Sequence, residues 1–228
     1  MRSNVLIIVP AYNEEQAILQ TVDQLKKFNY DFVVINDGSS DGTGRILLEH
    51  RVPHISLPVN LGIGGAVQTG YRYAERHGYE YAIQLDADGQ HNPEDLWHLI
   101  SEMERLKPDL LIGSRFLEKT NYKGDVSRRI GILYFDYLLR LIAGIRVTDP
   151  TSGYRIVNRR VIEWFARDYP VDYPEVEVLV KLARKGYTVR ETKVEMNARQ
   201  GGVSSINARK SIYYMAKVTF LSLIRSYL

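Results

Sequence analysis

Tyr81-Ala82-Ile83-Gln84-Leu85-Asp86-Ala87-Asp88-Gly89-Gln90-His91 is a mostly apolar run that ends in two carboxylates one residue apart, then a glycine and a polar pair. An apolar run of this length suits a buried strand. Asp86 and Asp88 then fall at its C-terminal end, where open α/β sheets bind ligands. Two carboxylates held this close repel unless a positive charge sits between them. A hard divalent cation with oxygen ligands relieves that repulsion and bridges to a substrate phosphate. The plain alternative is a solvated Asp-x-Asp turn closing a strand.

Upstream of this stretch, strand and helix patterns alternate. Asn4 to Val9, Phe32 to Ile35 and His54 to Leu57 read as strands, and Tyr81 to Leu85 is the fourth. Asp109 to Ile112 is the fifth. Helical spacing runs from Asn13 to Phe28 and from Gly62 to His77, and Pro93 suits the first turn of a further helix. Asp41 is placed to cap the helix after the Asp37–Gly42 turn. This alternation predicts an α/β fold, a mostly parallel sheet with helices on both faces. Beyond Gly113 the pattern changes. Ser127 to Ile145 reads as a long amphipathic helix, and 149–155 as a turn into a short strand. Glu175 to Lys185 is a helix closed by Gly186, and Thr188 to Val194 a strand. Asn207 to Leu228 is a final helical stretch mixing Arg and Lys with Tyr213, Tyr214, Phe220 and aliphatic residues, a composition that suits a membrane interface. The plain alternative there is a helix packed on the domain or on a second copy.

The 228 residues are 45% hydrophobic and 25% charged, ordinary material for one globular domain with a tail. Cysteine is absent, which excludes disulfides, thiolate zinc sites and cysteine nucleophiles and is compatible with a reducing cytosol. The apolar run Val5–Val9 is too short for a signal-peptide core and stops at Pro10, and no run is long enough to span a membrane. Net charge is +3 but uneven. Between Asn121 and Arg160 there are eight Lys/Arg against three Asp, and from Ala198 to Leu228 five Lys/Arg and no acid. A basic second half points to an anionic partner. No nucleic-acid reader motif accompanies it, so nucleic acid is not expected. The five histidines lack metal-ligand spacing, and His91 reads as a loop residue.

Several polar loops follow strands on one edge: Pro10–Glu14 after the first, Asp37 after the second, Asp86 and Asp88 after the fourth, Gly113-Ser114-Arg115 after the fifth. Each has a local explanation as a turn or cap; their joint placement is what a ligand crevice requires. Asn60-Leu61-Gly62-Ile63-Gly64-Gly65-Ala66 has no Gly-Lys-Ser/Thr, and Val67 stands where a dinucleotide fingerprint has its third glycine. Close approach of backbone to ligand or to a neighbouring helix is the expected use of these glycines.

Pro10-Ala11-Tyr12-Asn13-Glu14, Asn36-Asp37-Gly38-Ser39-Ser40-Asp41-Gly42-Thr43, Asn60-Leu61-Gly62 with Gly64-Gly65-Ala66, Asp86-Ala87-Asp88-Gly89-Gln90, Gly113-Ser114-Arg115 and Asp149-Pro150-Thr151-Ser152-Gly153-Tyr154-Arg155 occur in one order. That ordered set, over roughly residues 4 to 205, resembles the family 2 glycosyltransferases with the GT-A fold. Within them it is most similar to the polyprenol-phosphate glycosyltransferases of the dolichol-phosphate mannose synthase type. The resemblance implies a GT-A catalytic domain over 1–205 and leaves 206–228 as a C-terminal amphipathic membrane-interface helix.

It implies that Pro10, Tyr12, Glu14 and Asp37 contact the base and ribose of a nucleotide sugar, with Gly64 at the same ligand. Asp86 lies by the ribose, diphosphate or a metal-bound water, and Asp88 with Gln90 ligates Mg²⁺ or Mn²⁺. Arg115 meets the diphosphate or acceptor phosphate, and Ser127 with Arg128 or Arg129 holds a lipid phosphate. Asp149 matches an acidic position needed for activity, and Arg199 with Ser204 belongs to a loop closing on the nucleotide. Two positions depart from the pattern: Asn36 replaces an aspartate, and Ser205 a lysine whose place Arg209 or Lys210 would take.

The implied activity is inverting, metal-dependent transfer from a UDP- or GDP-sugar to a polyprenyl phosphate, an acceptor that is already an anion and needs no strong base. A saccharide acceptor in cell-surface polysaccharide synthesis would need one, and Asp149 is the candidate. A membrane-bound scaffold with an inactive transferase fold is the non-enzyme alternative, against which the Asp86/Asp88/Gln90 set argues. The expected location is cytoplasmic, peripheral on the inner face of the membrane, alone, as a homo-oligomer or with a small membrane protein partner.

Overall fold

Val5, Ile7 and Val9 alternate with Leu6 and Ile8 along the first strand, and every one of them is buried. A strand apolar on both faces must lie inside a sheet covered twice. The computed structural model describes residues 4–87, 95–117, 126–172 and 174–195 with Lys217 and Thr219, and for 126–130 the backbone alone. Its elements are β1 (Val5–Ala11), α1 (Ile18–Lys26), β2 (Asp31–Asn36), α2 (Thr43–Glu49), β3 (His54–Ser56), α3 (Gly62–His77) and β4 (Tyr81–Gln84). These are followed by α4 (Asp95–Leu106), β5 (Leu110–Ser114), α5 (Val126–Ala143), β6 (Arg155–Asn158), α6 (Arg159–Arg167), α7 (Pro174–Arg184) and β7 (Val189–Lys193).

The seven strands form one sheet in the order β3-β2-β1-β4-β6-β5-β7. All pairings are parallel except those of β6, which runs antiparallel between β4 and β5. Leu6 and Ile8 face a core built with α3, α5, α6 and α7. Val5, Ile7 and Val9 face a second core built with α1, α2 and α4. The mostly parallel α/β sheet expected from the sequence is therefore present, with its first five strands within about two residues of the apolar runs that announced them.

Three features differ from the sequence reading. First, α1 begins at Ile18 rather than Asn13, because Asn13 has φ +55° and Glu14 opens a turn whose carbonyl accepts from the N–H groups of Ala17 and Ile18. Second, the short strand after the 149–155 turn enters the sheet antiparallel. Third, α6 was not anticipated. Asn158 caps it, accepting a hydrogen bond from Val161 N at 3.1 Å, and Val161, Ile162 and Phe165 bury one face. No helix among the described residues is long and apolar enough to cross a membrane.

The chain reverses direction about β1: β2 and β3 lie to one side of it, β4 and the later strands to the other. This switch point opens a crevice at the C-terminal ends of β1 and β4.

Candidate active site

Two loops form the crevice wall at β1 and β2, and they brace each other. Asn13 Oδ1 accepts from Ser40 N at 2.9 Å, and Asn13 N donates to Ser39 Oγ at 3.0 Å. Glu14 N donates to Thr43 Oγ1 at 2.9 Å, Glu15 N to Asp41 Oδ2 at 3.2 Å, and Gly42 N to Glu15 Oε2 at 2.8 Å. Burial alone would raise the Asp41 carboxyl, but the bonds from Thr43 and Glu15 hold it below the usual aspartate range. Asp41 Oδ1 accepts from Thr43 N at 2.9 Å, close to the capping role expected of it. Pro10, Tyr12 and Glu14 line the crevice, with Tyr12 about half exposed. Asp37 also lines it; its Oδ1 accepts from Leu61 N at 2.7 Å, which ties the β2 loop to the entry of α3. Asn36, the departure from the family pattern, is buried. It accepts from Ser39 N at 3.2 Å and donates to Ser56 Oγ at 3.2 Å, fastening the turn to β3.

Gly64 stands elsewhere than expected. A Cβ there would lie 2.0 Å from the Pro170 carbonyl oxygen and 2.3 Å from that of Val171, and Gly64 N donates to Val171 O at 3.1 Å. Its lack of a side chain serves packing against the 170–171 backbone, while Gly62 and Ile63 line the crevice.

At the end of β4, Gln84 is buried and Asp86 partly buried, and Gln84 Nε2 lies 3.4 Å from Asp86 Oδ1. The chain just beyond is anchored from α1, where buried Thr21 donates to Ala87 O at 3.0 Å. Gly153 faces this carboxylate. A Cβ there would sit 3.3 and 3.6 Å from the two Asp86 oxygens and 3.0 Å from Gln84 Nε2. The missing side chain keeps open the space beside the Asp86 carboxylate, a hard oxygen donor of the kind that suits Mg²⁺ or Mn²⁺, although among the described residues no group of three or more His, Cys, Asp or Glu is placed to hold a metal ion. The expected ligands Asp88 and Gln90 lie outside the described residues, as do Arg199 and Ser204; for Ser127, Arg128 and Arg129 the backbone of the first turn of α5 is described.

The crevice encloses about 500 Å³ and runs from Tyr12 and Asn60 to Thr151, Gly153 and Glu175. Glu175, in the first turn of α7, was not singled out in the sequence, where an acid at a helix N-terminus reads as dipole complementation. Here burial pushes its carboxyl above the usual glutamate value, Arg155 opposes that, and Asp86 adds to it. Arg155 does not form a direct pair with it. The buried guanidinium donates to three carbonyls, Ser152 O at 2.7 Å, Glu175 O at 2.8 Å and Pro150 O at 2.9 Å, and so clamps the 150–152 turn to the start of α7.

Arg115 and Asp149 are bonded to each other and buried, and neither lines the crevice. Asp149 accepts from Arg115 Nε at 2.6 Å, Nη2 at 2.7 Å and backbone N at 3.1 Å. Arg115 Nη2 also reaches Thr151 Oγ1, a crevice residue, at 3.2 Å. Glu191 of β7 holds this turn from the other side, accepting from Thr148 N at 2.8 Å, Thr148 Oγ1 at 2.9 Å and Asp149 N at 3.0 Å. Burial pushes Glu191 up despite those bonds. Arg115 and Asp149 thus form a buried bidentate pair that adjoins the crevice at Thr151.

A mostly parallel sheet with a crevice at its switch point defines an open α/β fold with its ligand site at the strand ends. The glycosyl transferase family 2 model matches residues 6–165, and the chain belongs to that family. It is a glycosyltransferase with the GT-A fold. It is 31% identical over 178 residues to the UDP-N-acetylglucosamine–dolichyl-phosphate N-acetylglucosaminyltransferase of Methanococcus voltae, covering 70% of this chain and 71% of that one. It is 28% identical over 227 residues to the polyprenol monophosphomannose synthase of Mycolicibacterium smegmatis, covering 93% and 85%. Among solved structures, glucosyl-3-phosphoglycerate synthase from Mycobacterium tuberculosis, in complex with Mn²⁺, UDP-glucose and phosphoglyceric acid, superposes with a TM-score of 0.73 at 17% identity. That superposition covers 99% of this chain and 79% of that one and shows the shared fold.

Proposed function

We propose that this glycosyltransferase moves a sugar, with inversion, from a nucleoside-diphosphate donor to a polyprenyl phosphate at a membrane surface. The observation that carries the choice of acceptor is the burial of Asp149. The carboxylate singled out as base for a hydroxyl acceptor is fully enclosed and held by Arg115. A phosphate acceptor is already an anion and needs no base, and the relatives whose names specify a polyprenyl or dolichyl phosphate agree with that.

Under this reading Pro10, Tyr12, Glu14 and Asp37 hold the nucleoside at the β1–β2 end. Asp88 and Gln90 would hold Mg²⁺ or Mn²⁺ beside Asp86, and the cation would neutralise charge developing on the departing diphosphate. Ser127, Arg128 and Arg129 position the acceptor phosphate, so that orientation supplies much of the rate. Arg115 acts on the crevice through Asp149 and Thr151. Arg199 and Ser204 close over the nucleotide. Membrane contact is supported by α5, where Leu133, Tyr137 and Leu141 form an exposed stripe about 70% open to solvent. Lys217 and Thr219 of the tail reach Asp172 and Tyr134, the latter on α5.

The test is release of nucleoside diphosphate from UDP-glucose, UDP-N-acetylglucosamine and GDP-mannose, with and without undecaprenyl phosphate, in Mn²⁺ and again in EDTA. Release from one donor that requires both lipid and metal is the expected result. Release indifferent to lipid would move the acceptor to a saccharide, a reading that Glu175 in the crevice also serves because it places a carboxylate where a hydroxyl acceptor would need one.

A further inference from the structure

Strand β4 ends at Gln84, and Leu85 N still donates to Ile8 O of β1 at 3.0 Å. Beyond that bond the chain keeps the alternation of a strand for two more residues. Ile83, Leu85 and Ala87 are buried in the second core, while Gln84 and Asp86 lie on the other side, where both line the crevice. Among the described residues, the one group that bonds the Ala87 carbonyl is the hydroxyl of Thr21, reaching across from α1 at 3.0 Å. That carbonyl belongs to the peptide that joins Ala87 to Asp88. We propose that Thr21 is a positioning residue for the divalent cation, acting by fixing the peptide that leads into Asp88; this rests on the reading that Asp88 and Gln90 hold Mg²⁺ or Mn²⁺ beside Asp86.

A peptide unit is planar, so the direction of one carbonyl sets the following N–H and the placement of the next Cα. Holding the Ala87 oxygen against α1 therefore fixes where the backbone of Asp88 begins. Groups that orient metal ligands from behind are worth roughly 10–100-fold in metal affinity. The other buried α1 positions on this face are Ile18, Val22 and Leu25, all apolar, and Thr21 is 3% exposed among them. A hydroxyl at such a place is costly unless it is bonded, and threonine is a poorer helix former than alanine or leucine. Bonding back to Ala17 O, here at 3.3 Å, is the ordinary local use of a threonine inside a helix. That use asks nothing of β4, and a hydroxyl has one proton to give; the shorter contact is the one to Ala87 O. Asp86 is approached from its own strand by Gln84 Nε2 at 3.4 Å, and Gly153 leaves the space in front of its carboxylate open. Two elements thus share the work: β4 steadies Asp86, and α1 steadies the entry to Asp88.

The experiment is calorimetric titration of the full chain with UDP and with GDP, each in Mn²⁺ and again in EDTA, for wild type, Thr21→Val, Thr21→Ala and Thr21→Ser, with melting temperatures measured alongside. Wild type should bind one of the two nucleotides more tightly in Mn²⁺ than in EDTA. Thr21→Val keeps the shape and loses the hydroxyl. It should weaken that nucleotide about tenfold in Mn²⁺ and leave binding in EDTA within about twofold. Thr21→Ala should show the same split, and it carries the comparison if the valine variant melts too low to titrate. Thr21→Ser restores the hydroxyl and should bind within about threefold of wild type in Mn²⁺. Equal weakening in Mn²⁺ and in EDTA would assign Thr21 to structure and overturn the proposal. Wild-type affinity in Mn²⁺ for the valine and alanine variants would overturn it as well. A serine variant as weak as the valine variant would make packing of the methyl group, rather than the hydrogen bond, the cause, and would also overturn it. A wild type that binds its nucleotide equally in Mn²⁺ and in EDTA removes the cation, and this role for Thr21 with it. A wild type that binds neither nucleotide is a separate outcome, which removes the nucleotide-sugar reading and the proposal together.

Discussion

Asp149 and Glu175 are two carboxylates with opposite circumstances. Asp149 is fully buried, accepts three hydrogen bonds from Arg115 and is pinned from behind by Glu191. Removing one member of such a pair strands a buried charge. Asp149→Ala is therefore expected to destabilise the fold by about 3–5 kcal/mol, read as a fall in the denaturant midpoint. A variant that unfolds like wild type would show the pair to be unimportant to the crevice floor. Glu175 carries the reverse burden. Its folded-state carboxyl is raised above the unfolded value, chiefly by burial, so folding favours the protonated form. The stability it contributes is present below the unfolded value and is lost as pH rises through the folded one. Glu175→Gln is expected to melt higher than wild type at pH 8 and nearly level with it at pH 5. An equal shift at both pH values would remove ionisation as the cause. The residue types in the sequence announced Asp86, Asp37 and the Pro10–Glu14 loop because strand ends place them on one edge. They did not announce that Asp149 would be enclosed or Glu175 exposed to the crevice, since both depend on how the 149–153 turn meets the end of β4 and is tied through Arg155 to the start of α7, contacts between segments far apart in the chain.

At the scale of elements, α5 has two faces. Phe135, Leu138 and Leu139 are buried in the core, while Leu133, Tyr137 and Leu141, spaced four residues apart, lie open on the other side. Each of the three, if buried in a bilayer interface, adds about 1 kcal/mol. Replacing all three by serine is expected to lower partition onto anionic vesicles about a hundredfold while moving unfolding stability little. Retained vesicle binding by the triple variant would place membrane contact elsewhere. The sequence shows α5 plainly, as a long apolar and aromatic pattern with helical spacing. It shows α6 less well, because Arg159-Arg160-Val161-Ile162-Glu163-Trp164-Phe165 is short and follows a strand without a loop. The cue was Asn158 ahead of the buried Val161, Ile162 and Phe165. The direction of β6 could not be read from its composition. Arg155–Asn158 is a buried strand either way, and a helical connection such as α5 between adjacent strands more commonly leads to a parallel partner, so neither the strand nor its connection signalled the antiparallel course.

Over the whole molecule, the sheet order gathers the polar loops of β1, β2 and β4 and the 149–153 turn at one edge, where the described crevice carries acids and no described cation. The second half of the chain carries the excess of Lys and Arg. A donor whose diphosphate arrives with a divalent cation fits the first, and an anionic acceptor at a lipid surface fits the second. The order of motifs made the family legible before any coordinates, since the separate loops carry specificity only when taken together. The acceptor is a different matter, because the groups proposed to hold it, Ser127, Arg128 and Arg129, stand at the start of α5 and act through geometry rather than through a motif. The most direct measurement is sugar transfer into the organic phase with undecaprenyl phosphate and free undecaprenol offered at equal concentration, in Mn²⁺ and a nucleotide-sugar donor that the enzyme binds. Labelled product from the phosphate alone is the expected result, because an acceptor that is already an anion needs no base and Asp149 is enclosed and held by Arg115. Product from the free alcohol at a comparable rate would mean that the enzyme deprotonates its acceptor, and would contradict it.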